Sequence, residues 1–414
     1  MRLQVLASVT VVLIATSALS APYCRSYTRA AAVFARMAHL EGRVANALEC
    51  EREEVIVEMA VIPSRHGNLR TRLFIPNHIR RAVTLMAGVN MLGIEEPRLY
   101  GLAFELASVG VAVITPDTPD LKRFDITART TDMIEDSALW LSRQRRLTPD
   151  GRIGMVGISF AGGLSIIAAG RETLRNRVNF VFSFGGHGDF PRELRFLCTG
   201  LEPAFSDNPD VGRPLRAGER AGAEAPAYSN TRAAEAQVYR RPHDYGVVII
   251  LLDLADRLVP PEQVVPLREA ILKYLLAGHY ELIDKRLAKT TFDAALALTE
   301  ALPEPSRTYM RQVNDRDVER LGTLVAPALE SLGGEAGLSP ERSPAPICPV
   351  YLLHGSDDTV IPSIESLMMA RYLQGKTPVR VLLSGLITHA ELDRQQDWRE
   401  VWNLVNFFAA LLRQ

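Results

Sequence analysis

The chain has 414 residues, 47% hydrophobic and 23% charged, enough to bury a large core and unlike the compositions of disordered or fibrous chains. Its formal net charge is -1, and no block of Lys or Arg marks a phosphate-tracking surface, which argues against nucleic acid and anionic membrane surfaces as partners. Cys24, Cys50, Cys198 and Cys348 lie far apart without C-x-x-C spacing, so no zinc site or dithiol pair is expected, and a disulfide is expected only in an exported chain.

Val5 to Ala21 is uncharged and mostly apolar, follows Arg2 and ends in ATSALSAP, the pattern of a signal peptide cleaved after Ser20. The competing reading is an uncleaved anchor, although the segment falls short of the roughly 20 residues of a membrane span. Arg25, Arg29 and Arg36 outnumber Arg2, which would leave the C-terminal side of such an anchor cytoplasmic. Residues 1–20 are therefore expected to export the chain or attach it to a membrane, with a cytoplasmic location as the alternative. Cys24 follows Tyr23, where lipidation needs a small residue, so no lipid anchor is expected there.

Residues 21–52 read as an N-terminal helical segment, with helical spacing over 27–50. From 53 to 190 strands and helices alternate. Glu54–Ile62 and Leu69–Ile75 form a hairpin around His66-Gly67-Asn68, and Ala82–Ala87 is the next strand, ending in Gly88-Val89-Asn90. A helix over Leu99–Ser108, a strand over Val111–Thr115 and an amphipathic helix over Asp132–Gln144 follow.

The stretch Arg152–Gly170, RIGMVGISFAGGLSIIAAG, changes period at Ser159. Ile153, Met155, Val156 and Ile158 make a short buried strand, and the small and unbranched residues from Phe160 to Ala169 make a helix. A serine on so tight a turn holds its hydroxyl above the sheet edge and needs small neighbours, here Gly157 and Ala161. The first-turn amide of Phe160 is placed to receive an oxyanion. Strand Val178–Phe184 follows, ending in Gly-Gly-His-Gly-Asp.

The alternation stops over 191–345, a helical lid insertion with helices over Val247–Leu258 and Glu262–Leu276 and two or three more between Tyr280 and Leu332. It is expected to shape the substrate pocket and to supply none of the bond-breaking groups. Val247, Ile249, Leu251 and Leu252 are expected either to wall the pocket or to pack the lid onto the core. The alternation resumes over 346–414 with strand Val350–His354, helix Ser363–Leu373, strand Val379–Leu383 and helix Asp397–Leu412. The fold class is therefore α/β, a mostly parallel sheet flanked by helices.

In LLHGSDDTVIP, Asp358 stands just past a strand end, and in SGLITHAEL, His389 stands in the loop after the next strand. A serine hydroxyl is a poor nucleophile at neutral pH and needs an imidazole to take its proton and a carboxylate to fix the tautomer. Ser159, Asp358 and His389 all fall at carboxyl ends of expected parallel strands, the edge where such sheets build sites. Competing roles are a turn cap for Asp358 and a surface loop histidine for His389. His354, inside its strand, reads as structural, and His187 and Asp189 read as a polar turn tip, with Asp189 held as the reserve acid.

From about residue 54 to the C-terminus, interrupted by the insertion, these motifs resemble an α/β-hydrolase superfamily serine hydrolase of the esterase, dienelactone-hydrolase-like or prolyl-oligopeptidase-like branch. The resemblance implies Ser159 as nucleophile, Asp358 as acid and His389 as base. It also implies an oxyanion loop at Gly88-Val89, with Phe160 as one donor and Val89 or Asn90 as the other. Ala161 stands where the family usually has glycine, and Ala87-Gly88 where many members have His-Gly. The expected activity is cleavage of a carboxylic ester or similar small-molecule acyl compound through an acyl-enzyme. The alternatives are a serine peptidase of prolyl-oligopeptidase-like type and a noncatalytic membrane-tethered pseudo-hydrolase. No H-E-x-x-H and no strand-following G-x-G-x-x-G occurs, so neither a metal nor a cofactor is expected.

Overall fold

A computed structural model describes residues 23–37, 43–203, 238–281, 283–332, 334–388, 391–392 and 398–414. The apolar segment 1–20 and His389 lie outside the described residues.

Strands β1 (Val55–Ser64), β2 (Gly67–Pro76), β3 (Arg81–Met86), β4 (Val111–Pro116), β5 (Ile153–Ile158), β6 (Val178–Phe184), β7 (Val350–Gly355) and β8 (Val379–Ser384) form one sheet. Their spatial order is β1-β2-β4-β3-β5-β6-β7-β8. β2 is antiparallel to β1 and β4, and every other neighbouring pair is parallel. This is the α/β-hydrolase arrangement, in which β7 and β8 reach the sheet only after the long insertion.

Among the described residues, twelve helices of eight or more residues surround or extend the sheet. In chain order they are α1 (23–37), α2 (Pro97–Ala107), α3 (Ala128–Ser142), α4 (Phe160–Gly170), α5 (Phe190–Thr199) and α6 (Asp244–Leu258). Then come α7 (Pro261–Glu281), α8 (Lys285–Ala301), α9 (Ser306–Asn314), α10 (Val318–Val325), α11 (Ile364–Leu373) and α12 (Trp398–Leu411).

The two-residue period of the strands feeds two apolar layers. Val83, Leu85, Tyr351 and Leu353 join Leu99 and Leu106 of α2 and Phe407 of α12 on one face. Ala82, Met86, Val350 and Leu352 join Ile134 of α3, Leu164 of α4 and Met369 of α11 on the other. Phe34 of α1 meets Phe408 edge-on at 4.7 Å, and Tyr27 stacks on Trp402 at 5.6 Å, so the N-terminal helix is fastened to the C-terminal one.

Adjacent strands β3 and β5 send their following helices, α2 and α4, to opposite faces. A crevice must open above their carboxyl ends, because no connection crosses there. Gly88 and Ser159 stand at that crevice.

Among the described residues the insertion contains helices α5 to α10. Val247, Ile249, Leu251 and Leu252 of α6 are all buried and belong to the same apolar cluster as Ile153, Met155 and Leu352. Helix α6 packs against α5, α7 and α10, so these side chains fill the interior of the insertion. At its base a charged cluster joins cap to core. Arg192 of α5 donates from Nε to Glu365 Oε1 of α11 at 2.5 Å and from Nη2 to Oε2 at 2.8 Å, and pairs with Glu341 at 2.7 Å. Glu365 Oε2 also accepts the amides of Gly188 and Asp189 at 2.8 and 3.1 Å, which fixes the loop leaving β6.

A mostly buried carboxylate deprived of its partner is far more costly than the intact pair is favourable. Arg192→Met should therefore lower unfolding free energy by about 3–5 kcal/mol in denaturant titration. A loss below about 1 kcal/mol would mean that the pair does not tie cap to core.

Candidate active site

β5 ends at Ile158 and α4 begins at Phe160, so Ser159 alone turns the chain. Its backbone sits at φ 55° and ψ −135°, a region that L side chains rarely occupy. The turn closes because its neighbours are small. A Cβ on Gly157 would lie 2.3 Å from the Ala161 carbonyl oxygen. The turn is held by the Ser159 amide donating to Phe184 O at 2.7 Å and the Gly162 amide donating to Ser159 O at 2.8 Å. Phe160 is the first residue of α4, so its amide has no acceptor within the helix. Ser159 is only 7% exposed, in contact with the loop leaving β3, where a Cβ on Gly88 would stand 3.0 Å from Ser159 Cβ and 3.7 Å from Oγ.

That loop is itself fixed. Asn90 Oδ1 accepts the Leu92 amide at 2.8 Å, and Asn90 O accepts the Gly93 amide at 3.0 Å. Val89 is buried, and its carbonyl accepts a 2.7 Å bond from the hydroxyl of Tyr245, on the cap helix α6.

Asp358 follows β7 in a tight turn and is buried. Its Oδ1 accepts the amides of Val360 and Ile361 at 2.8 and 3.1 Å, and its Oδ2 lies toward Gly185, where an added Cβ would be 3.6 Å away. Gly185 follows Phe184, whose carbonyl holds the Ser159 amide. The end of β6 thus separates serine and carboxylate by one strand. His354 is fully buried: Nε2 donates to Ile361 O at 2.8 Å, Nδ1 accepts from Ser366 Oγ at 2.7 Å, and Nε2 stands 3.5 Å from Asp358 Oδ2. It braces the turn that carries Asp358.

Past β8 the chain is fixed by α12. Ser384 Oγ and the Leu386 amide both donate to Glu400 Oε2 of α12 at 3.1 Å, and Ile387–Thr388 pairs antiparallel with Glu391–Leu392. His389 itself is outside the described residues.

Asp189, the reserve acid, caps α5 instead. Its Oδ1 accepts the Arg192 amide at 3.0 Å and its Oδ2 pairs with Arg342 at 2.6 Å, so both oxygens are occupied. His187 is buried against the rings of Phe160 and Phe190, with Nε2 donating to Leu338 O at 2.7 Å. Burial holds its ring neutral, down to about 4.

Three residues at the site were not singled out in the sequence. Tyr245 and Val89 are 156 positions apart, and nothing local signals their contact. Phe124, at φ 66°, lies edge-on to Tyr245 at 6.0 Å, and its left-handed backbone leaves no mark in composition. Glu193 of α5 is fully buried with neither carboxyl oxygen hydrogen-bonded. Burial, and then the negative charges of Glu365 and Asp358, push its carboxyl well above the usual range. Among the described residues no group of three or more His, Cys, Asp or Glu could hold a metal ion.

No protein-family model matches the chain, and no curated protein matches it. Among solved structures it is similar to a dienelactone hydrolase from Anabaena variabilis, at 24% identity and TM-score 0.29, over 32% of this chain and 64% of that one. It is similar also to a Pyrobaculum calidifontis esterase, at 12% identity and TM-score 0.42 over 88% of each chain. A third is an acylaminoacyl peptidase from Pyrococcus horikoshii, at 11% identity and TM-score 0.44, over 90% of this chain and 43% of that one. At such overlaps the fold assignment stands on the strand order and the turn at Ser159.

Glu193 gives the site a pH signature. Its folded-state pKa is raised, so the fold holds a proton that the unfolded chain releases above about 4.5. The stability it contributes is full at low pH and is lost as pH rises. Glu193→Gln should raise the thermal midpoint at about pH 8 and leave it unchanged near pH 4. An equal shift at both pH values would mean that the fold does not raise the Glu193 pKa.

Proposed function

We propose that the protein is a serine hydrolase that cleaves a carboxylic ester, or a similar small acyl compound, through an acyl-enzyme. The observation that carries the reading is the backbone of Ser159, at φ 55° and ψ −135° on a strand-to-helix turn with the Gly88 loop against its side chain. A glycine-flanked strand end with no chemical role has no reason to hold a serine in that conformation.

In this reading Ser159 Oγ attacks the acyl carbon while His389 takes its proton, and the carbonyl electron pair moves onto oxygen. The amide of Phe160 and one from the Gly88–Asn90 loop receive that oxyanion. The intermediate collapses as the C–O bond to the alcohol breaks and the imidazolium returns the proton to the departing oxygen. Water then repeats the sequence on the acyl-enzyme, which frees the acid and restores Ser159. Asp358 holds His389 in the required tautomer and stabilises its charged form. The two amides on Asp358 Oδ1 orient the carboxylate.

Hydrolysis of an activated acetate ester by purified variants tests these roles. Ser159→Ala should lower kcat by on the order of 10⁶. Asp358→Asn should lower it by up to about 10⁴, while Asp189→Asn should affect stability more than turnover. Full turnover in Ser159→Ala would end the serine reading, and activity lost in Asp189→Asn but kept in Asp358→Asn would move the acid to the other strand.

A further inference from the structure

The segment leading into α6 spans two loops of the site. The His243 amide donates to Thr359 O at 2.8 Å, directly after Asp358, and two residues on the Tyr245 hydroxyl donates to Val89 O at 2.7 Å. The cap therefore holds the acid turn with one hand and the oxyanion loop with the other. Its own footing is firm: Asp244 pairs with His243 at 2.8 Å and accepts from the Tyr274 hydroxyl of α7 at 2.5 Å. From the other side Phe124, buried and at φ 66°, presents its ring edge-on to Tyr245. A bulky residue in that backbone region is costly and persists only where its surroundings fix it.

A peptide plane has two polar ends. Fixing the carbonyl of Val89 fixes the direction of the Asn90 amide on the same plane, because the two point oppositely across a trans peptide. An oxyanion donor gains its effect from being held in place before charge develops, and small displacements of such groups are expensive in rate. We propose that Tyr245 is a positioning residue for the oxyanion loop, so that docking of the cap sets the turnover of the site as well as shaping its pocket. The inference rests on the serine-hydrolase reading and adds a positioning role to the pocket-shaping one expected of the insertion.

Tyr245→Phe removes the donated bond and keeps the ring against Phe124, so it separates positioning from packing. With a small activated acetate ester, kcat should fall roughly tenfold to a hundredfold with KM changed less than about threefold. The affinity for a trifluoromethyl ketone, which forms an oxyanion on the serine, should fall by the same factor. Should this variant not fold, a tetrafluorinated tyrosine incorporated at 245, far more acidic than tyrosine, offsets the upward push of burial and loses its proton, and with it the donated bond, at lower pH. The alkaline limb of its kcat profile should then move to lower pH than in wild type. Wild-type kcat and ketone affinity in Tyr245→Phe, or an unmoved alkaline limb in the fluorinated protein, would overturn the inference and leave the serine reading intact. A wild-type protein that neither turns over ester nor binds the ketone would overturn both.

Discussion

One turn of backbone at Ser159 constrains most of what surrounds it. Between the last residue of β5 and the first of α4 there is room for a single residue in a left-handed conformation, and the 2.3 Å approach of a Gly157 Cβ to the Ala161 carbonyl would leave no room for any larger side chain. The β6 terminus must then supply an acceptor for the serine amide, which Phe184 does. Because β6 also lies beside β7, the same strand end sets the distance from Ser159 to Asp358. The switch of helix direction between β3 and β5 puts Ser159 and the Gly88 loop at the sheet edge where such folds open a crevice.

The insertion belongs to this arrangement more closely than a detachable cover would. Its central helix α6 is apolar over Val247–Leu252 and packs against α5, α7 and α10, so removing it would expose their inner faces. Arg192 and Glu365 fasten its base, with Glu365 also holding the loop that leaves β6. Tyr245 fastens its far side to Val89. Between these points sits Glu193, a buried carboxyl without a hydrogen-bond partner, in a neighbourhood already rich in negative charge. Such a group costs stability at neutral pH, and the nearby charge of Arg192 offsets only part of the burial and repulsion that raise its pKa.

Much of the sheet was legible in the sequence because it obeys local rules. Runs such as Val178–Phe184 and Val350–His354 are strand-length and apolar, and the change of period at Ser159 marks a strand-to-helix turn by itself. The order Ser159, Asp358, His389 is readable for the same reason, since each falls just after such a run. What escaped depends on distance or on backbone angle. The pairing of Tyr245 with Val89 joins segments 156 residues apart, and the left-handed Phe124 is a sterically improbable place for an aromatic residue. Asp189 looked available as an acid because a polar tip beside a strand resembles a site. Its use as a helix cap appears only once Arg192 and Arg342 are placed around it. Local consistency fails where a site or a buried charge has been built, which is where tertiary structure overrides pattern.

The central claim is that the fold, and not serine chemistry alone, makes Ser159 reactive. A fluorophosphonate probe applied to native and to urea-unfolded protein, followed by peptide mass mapping, tests it directly. The account predicts one adduct, on Ser159, in the native sample and none in the unfolded one. No adduct in the native sample, an adduct on a different serine, or equal labelling of both samples would contradict it.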